Sequence, residues 1–326
     1  MGLWNWLWRA GGTSGFGSSS TAEDVTQGVD ASKLTVIVTG ATSGIGKETA
    51  RVLALRGAKV VIPSRTLESG MKLKESLLEQ NPNAKLQVEE MDLSSLDSVD
   101  SFARSFKSSN KHLNVLINNA GIMACPFQLS KDGIELQFAT NHIGHFLLTN
   151  LLLEKMKATA KETGIQGRIV NVSSSAHRRG DGSSFHIDKI NDRSRYKPFN
   201  AYAQSKLANI LHANELSRRL KEEGANVTAN SLHPGVIATN IIRYTNLNET
   251  VANFLFTLAK PFIKTIPQGA ATNCYVAVHP NVTDVTGKFF VDCNIATPSI
   301  RARDEALGRR LWDFSEDLIQ RSRRPT

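Results

Sequence analysis
Between residues 34 and 291, short apolar runs alternate with stretches of helical period, and no linker breaks the series. The runs lie at 34–38, 59–62, 85–88, 115–117, 168–172, 226–232 and 289–291; the helical stretches lie at 44–56, 66–79, 97–107, 134–157, 201–221 and 268–277. A strand that is apolar on both faces must be covered on both, and a helix after each strand carries the chain back so that successive strands run parallel. The pattern predicts an α/β fold, a doubly wound parallel sheet in three layers. The 326 residues would fit one large domain or two small ones. The unbroken alternation selects a single domain at about 34–300, with residues 1–33 and 301–326 as extensions. In the first extension a Gly/Ser-rich link precedes Ser20 and Glu23, whose capping-box spacing predicts a short helix to about Gln27.

The turn after the first run narrows the ligand. Thr39-Gly40-Ala41-Thr42-Ser43-Gly44-Ile45-Gly46 joins that strand to the first helix. Glycines let the backbone turn sharply and approach a pyrophosphate, and a helix N-terminus offers free N–H groups and the positive end of its dipole. Such a turn can be merely structural, but a strand before it and a helix after it are the setting of a Rossmann-type dinucleotide site. Gly40, Thr42, Ser43, Gly44, Ile45 and Gly46 are its candidate contacts. The second run leads into Ser64-Arg65. An acid there would bind the ribose 2′-hydroxyl of NAD; Arg65 instead offers a forked pair to a 2′-phosphate, which favours NADP(H). A solvent-facing arginine at a helix start is the plainer alternative. Asp92, followed by Leu93, stands after the third run, where it can accept from an adenine amino group. Asn119, Ala120 and Gly121 end the fourth, where small side chains leave room for a cofactor.

Tyr202 and Lys206 are four apart at the start of a predicted helix and hence share a face. A free tyrosine titrates near ~10, and an adjacent ammonium favours the phenolate and lowers that value. Such a side chain can exchange a proton with a carbonyl oxygen while hydride moves to or from carbon. Ser173, Ser174 and Ser175 close the fifth run, at the strand end where ligands sit in open α/β sheets. Asn141 lies in an otherwise apolar helix with Phe138, Ile143, Phe146 and Leu147. A buried amide needs partners, either a water linked to Lys206 or a structural set. His177 and His186 have no metal-ligand spacing and read as surface or substrate-loop side chains; no metal is expected.

Taken in order, Thr-Gly-x-x-x-Gly-x-Gly, Asn-Asn-Ala-Gly, Asn141, Ser174, Tyr202-x-x-x-Lys206 and Pro234-Gly235 resemble the short-chain dehydrogenase/reductase superfamily over about residues 34–291. The resemblance implies an oxidoreductase in which Tyr202 is the general acid/base. It implies that Lys206 lowers the tyrosine pKa and holds the nicotinamide ribose, that Ser174 donates to the substrate oxygen, and that Asn141 holds a proton-relay water. It places Pro234, Gly235, Ile237 and Thr239 beside the nicotinamide, with a lid over the substrate at about 240–266. Arg65, the long stretch between Ser174 and Tyr202, and Arg309-Arg310-Leu311-Trp312 resemble retinol-dehydrogenase-like members. Ser20-Thr21-Ala22-Glu23, Val52-Leu53-Ala54-Leu55-Arg56-Gly57 and the Trp-rich start are similar to plant members, among them one attached to the chloroplast inner-envelope import translocon. This implies a plastid-envelope location and, as an alternative to turnover, an NADP(H)-binding redox sensor within a membrane complex. The superfamily also implies a homodimer through the helices at 134–157 and 201–221.

The formal charge of +9 does not point to nucleic acid, because Lys and Arg are spread among Asp and Glu without a basic block. A phosphate-bearing cofactor or an anionic membrane surface fits it. Trp4, Trp6 and Trp8, with Leu3 and Leu7, form a run far short of the ~20 residues that cross a bilayer; it reads as an interfacial anchor or a packed apolar arm. Phe254, Leu255, Phe256, Leu258, Phe262 and Ile263 make the lid apolar, which suggests a lipophilic carbonyl or alcohol substrate, or a membrane-dipping helix. Residues 301–324 carry Leu307, Leu311, Trp312, Leu318 and Ile319 at helical spacing, with seven arginines among five acids. That pattern suits either a calmodulin target or a helix packed on the body. Cys125, Cys274 and Cys293 make neither a disulfide framework nor a zinc site, so a reducing compartment, cytoplasmic or at a membrane surface, is expected rather than secretion. The sequons at Asn171 and Asn226 fall in runs that read as buried strands.

Overall fold
The computed structural model describes residues 12–183, 185–237 and 263–323. The Trp4/Trp6/Trp8 run, Thr239 and the lid up to residue 262 lie outside the described residues.

The strands are β1 (Thr35–Val38), β2 (Lys59–Ser64), β3 (Lys85–Glu90), β4 (Val115–Asn118), β5 (Gly167–Val172), β6 (Val227–His233), β7 (Val236–Ile237), β8 (Ile263–Lys264), β9 (Phe289–Val291) and β10 (Asn294–Ala296). Eight of them form one sheet in the order β10-β9-β6-β5-β4-β1-β2-β3. Every pairing in it is parallel except β9 with β10. Strand direction alternates residues between two cores. Val36 and Val38 face one, Ile37 the other, and all three are fully buried. The helices α1 (Gly44–Leu55), α2 (Leu67–Gln80) and α6 (Ile266–Val278) cover the first face. Helices α3 (Leu96–Ser109), α4 (Gly144–Thr163) and α5 (Pro198–Glu222) cover the second, and α7 (Glu305–Ser322) packs on α5. The predicted three-layer single domain is thus the observed one. Strand order reverses between β1 and β4, so the chain leaves these neighbours in opposite directions and opens a crevice at their carboxyl ends.

Four details depart from the sequence reading. The N-terminal helix is only a 3₁₀ turn, Asp24–Thr26, and the reciprocal pair is Thr21 with Asp24: Thr21 N donates to Asp24 Oδ2 (2.8 Å) and Asp24 N to Thr21 Oγ1 (3.2 Å). Glu23 is drawn away to Arg51 at 2.5 Å, and the Ser20 hydroxyl accepts from Gly17 N, so neither member of the expected pair is free to cap. Strand β10 was not expected; its hairpin with β9 turns on Asp292 and Cys293, both in the left-handed region (φ 51° and 63°), a pairing no apolar pattern announces. The long helix at 134–157 starts as a turn, Leu136–Phe138, and passes through a π-turn, Ala139–Ile143, before α4. Asn226 is exposed, one residue before β6, whereas Asn171 is buried in β5.

The C-terminal helix settles against the body. Leu307, Leu311, Trp312, Leu318 and Ile319 are all buried. The Trp312 ring meets Phe146 (4.9 Å) and His212 (5.8 Å), and the Arg219 guanidinium lies 4.1 Å over its face. This apolar stripe faces inward, as a packed helix requires and an available calmodulin target does not. It packs along α5 and reaches α4 at Phe146. Among the described residues no helix is long and apolar enough to cross a membrane.

Candidate active site
The crevice at the β1/β4 switch point is built around Thr39, which directly follows β1 and is fully buried. Its hydroxyl accepts from Asn119 N and Ala120 N, each at 2.9 Å, and stands 2.8 Å from His145 Nε2. Asn119 returns the contact through Nδ2 to Thr39 O (2.8 Å), and its Oδ1 accepts from Asn273 Nδ2 on α6 (3.2 Å). The ends of β1 and β4 are therefore clamped together, and the small residues Ala120 and Gly121 form the floor. The glycines are sterically required: Gly40 has φ 66° and a Cβ on it would lie 2.8 Å from Ala120 Cα, while a Cβ on Gly46 would lie 2.3 Å from Gly40 O. Ser43 is the N-cap of α1 but its side chain makes no cap bond, so the first N–H groups of α1 are left for an external acceptor. A glycine cradle and an uncapped helix start fit a dinucleotide pyrophosphate.

Beyond this turn lies a cleft of about 370 Å³ lined by Thr42, Lys47, Ser69, Lys72 and Leu73. Ser64 connects to it only through its hydroxyl, 2.7 Å from that of the lining Ser69, and the next residue, Arg65, is exposed with no partner among the described residues. Asp92 uses one carboxylate oxygen locally, accepting from Ser94 N (2.9 Å) and Ser94 Oγ (2.7 Å). Its other oxygen is 3.9 Å from Lys131 Nζ. Leu93 is buried, and a Cβ on Gly144 would lie 2.3 Å from its carbonyl oxygen. Across the crevice, Ile237 and Ile45 converge on Gly269, whose added Cβ would lie 2.8 Å and 3.4 Å from them. Gly235 has φ 104° beside Lys264, and with Pro234 it forms the turn from β6 into β7.

The proton-transfer residues sit on the buried face of α5. Pro198 starts that helix, which brings Tyr202 and Lys206, 5% and 2% exposed, under the crevice. Lys206 Nζ donates to Val172 O at the end of β5 (3.1 Å) and lies 5.6 Å from the centre of the Tyr202 ring. The three serines separate by role. Ser173 is buried and donates to Lys206 O (2.7 Å), and Ser175 is exposed. Ser174 caps the 3₁₀ turn Ser175–Arg179, and its hydroxyl is close enough to that of Tyr202 to lower the tyrosine pKa. Asn141, fully buried in the π-turn, accepts from Ile122 N (2.8 Å) and donates to Ile122 O and Ser205 Oγ (2.9 Å each). Its amide thus has a structural set of partners. Its Oδ1 nevertheless shares a space with Lys206 Nζ, lying 3.3 Å and 3.2 Å from where a Gly121 Cβ would be.

Burial dominates the electrostatics. It pushes the Tyr202 hydroxyl up to about 12, with the Ser174 hydrogen bond pulling the other way, and pulls Lys206 down to about 8. The lowering of Tyr202 expected from Lys206 is not what this arrangement produces, because the ammonium stands over the ring while the phenol is desolvated. At neutral pH Lys206 is charged and Tyr202 holds its proton.

Two histidines carry more than the sequence reading gave them. His177 is fully buried rather than on the surface: its Nδ1 lies 2.6 Å from Ser174 O, and its Nε2 accepts from Ser299 N at 3.1 Å, which ties Ser174 to the segment before α7. His145, unremarked in the sequence, links Thr39 to the Asn141 carbonyl (3.1 Å). Its spacing of four from Asn141 was the one available signal.

The family model for short chain dehydrogenase matches residues 34–250. A chloroplastic protein of Brassica napus, short-chain dehydrogenase TIC 32 A, is 56% identical over 98% of this chain and 99% of its own. Human retinol dehydrogenase 11 is 43% identical over 87% of this chain and 85% of its own. A solved structure of an uncharacterised protein from Mycobacterium paratuberculosis is 35% identical, covers 90% of this chain and 97% of its own, and superposes with a TM-score of 0.70.

Proposed function
Starting from the fact that the chain belongs to the short-chain dehydrogenase/reductase family, we propose that it uses NADP(H) to interconvert a lipophilic aldehyde or ketone and its alcohol. The single observation that carries a working site is the convergence of Tyr202, Lys206 and Ser174 at the carboxyl end of β5, beside an uncapped α1. When bound, the nicotinamide supplies or accepts the hydride. Ser174 holds the substrate oxygen, and Tyr202, a neutral phenol at neutral pH, donates the proton to it. That protonation state is the one reduction needs. Lys206 stays charged below about pH 8 and holds the nicotinamide ribose. Arg65, together with Lys47 and Lys72 at the neighbouring cleft, supports selection of a 2′-phosphate. The retinol dehydrogenase relatives support a lipophilic substrate.

A second reading rests on the chloroplastic relatives. In it the protein is an NADP(H)-reading component of a plastid-envelope complex, and turnover is incidental. Calorimetric titration with NADPH and NADH separates the cofactor question: strong NADPH preference that collapses in Arg65→Ala supports the reading, and equal binding overturns it. A panel of retinal and straight-chain aldehydes then tests turnover. Tyr202→Phe should abolish reduction; full biological function in that variant would favour the second reading.

A further inference from the structure
We propose that His145 is a positioning residue of this site: as one neutral tautomer it locks the cofactor-side turn at Thr39 to the Asn141 turn beside Lys206. The inference rests on the carbonyl-reductase reading above.

The hydrogen positions follow from counting. Thr39 Oγ1 has two lone pairs and one proton. The Ala120 N–H at 2.9 Å takes one lone pair, and the Asn119 N–H at 2.9 Å, shared with Ile117 O at 3.0 Å, takes the other. The proton then goes to His145 Nε2 at 2.8 Å; the alternative acceptor, Ile117 O, is farther at 3.3 Å and already accepts from Thr39 N at 3.1 Å and Asn119 N at 3.0 Å. At the other side of the ring, Nδ1 lies 3.1 Å from Asn141 O. A carbonyl only accepts, so Nδ1 carries the ring proton. Both ends demand the same form, protonated on Nδ1 and open on Nε2. An imidazolium would place a proton between Nε2 and the threonine hydroxyl and break the chain. Burial, with Lys206 opposing a second positive charge, holds the ring pKa down at about 4.

This chain joins two parts of the site that are far apart in sequence. One end fixes Asn119 and Ala120, the floor of the crevice. The other reaches the π-turn Ala139–Ile143, where Gly144 N bonds back to Ala139 O and the helix needs an outside restraint. Asn141 Oδ1 faces the same space over Gly121 as Lys206 Nζ. The ring itself touches no reacting atom; it sets where the groups that do so stand.

Two variants divide positioning from packing. In His145→Gln the amide can still donate to Asn141 O and accept from Thr39, but the ring volume is lost. His145→Phe keeps the volume and loses both bonds. With NADPH and the aldehyde that the wild type reduces best in the panel, positioning predicts that His145→Phe loses roughly ten- to a hundredfold in kcat, with KM for the aldehyde little changed, and that His145→Gln recovers most of it. Simple packing predicts the reverse order, and that order would overturn the inference. Nitrogen NMR of the histidine rings, with His145 assigned by its missing signal in His145→Gln, should show the neutral form protonated on Nδ1 at neutral pH. The other tautomer, or the cation, also overturns it. A reversed order in an active enzyme leaves the proposed function intact. A wild type that reduces nothing in the panel removes the proposed function and this inference with it, while the NMR result still stands as a statement about the ring.

Discussion

Replacing Lys206 by methionine is expected to abolish turnover and, at neutral pH, to make the fold more stable. Lys206 is 2% exposed, donates to Val172 O at 3.1 Å, and forms no ion pair among the described residues. Burial therefore pulls its pKa from the ordinary 10.5 to about 8. At ~1.36 kcal/mol per unit, holding the charged form in place costs about 3 kcal/mol. The sign fixes the pH window. Below about pH 8 the group is charged in both the folded and unfolded chain, so the full cost applies. Between about 8 and 10.5 the unfolded chain binds more protons than the folded one, stability of the wild type rises with pH, and the cost fades. Methionine has a similar length and no charge, and Val172 O keeps Asn209 Nδ2 as a donor at 3.0 Å. Urea unfolding without added cofactor should show Lys206→Met more stable by up to about 3 kcal/mol at neutral pH, with the gap closing through that window. A variant that is less stable at neutral pH, or a gap that ignores pH, would refute the argument that an uncompensated buried charge sits at this position.

Two further outcomes are expected. Gly46→Ala places a Cβ 2.3 Å from Gly40 O and 2.6 Å from Asn119 Nδ2, so calorimetry should show NADPH binding lost, with overpacking destabilising the fold by about 1–3 kcal/mol; retained affinity would mean that the cradle is not where the cofactor approaches. Trp312→Ala should destabilise by about 3–5 kcal/mol, whereas Trp312→Phe should cost less than about 1.5 kcal/mol, because the indole N–H it removes is buried without a partner; an alanine variant with the wild-type urea midpoint would show that α7 unfolds apart from the rest.

The layers of the fold were legible because each strand and helix announces itself over a few neighbouring residues. An apolar run such as Val36-Ile37-Val38, rich in β-branched residues and followed by a glycine turn, reads as a strand buried on both faces, and it is split between the two cores as that requires. The features that escaped depend on competition or on distance. Ser20/Glu23 and Thr21/Asp24 are equally good capping pairs on paper; the outcome turned on Arg51, far along the chain, taking Glu23. The π-turn at Ala139–Ile143 leaves no mark in the apolar period, since an extra residue in one turn shifts the stripe by less than its width. Strand β10 rests on two residues with positive φ, neither of them glycine.

The site divides along the same line. The residues proposed to meet a ligand stand at strand ends and helix starts, places that a local pattern marks and that the fold sends to the crevice. Residues that hold them are not so marked. Thr39, His145 and His177 act through bonds to partners 80, 106 and 122 positions away, and no local pattern encodes such pairings. Ser173 and Asn209 anchor the backbone around Lys206 at Lys206 O and Val172 O, so the ammonium is kept in its desolvated place. A lysine free to move would find water and recover its ordinary pKa. Held where it is, it remains a cation below about pH 8, 5.6 Å from the centre of the Tyr202 ring.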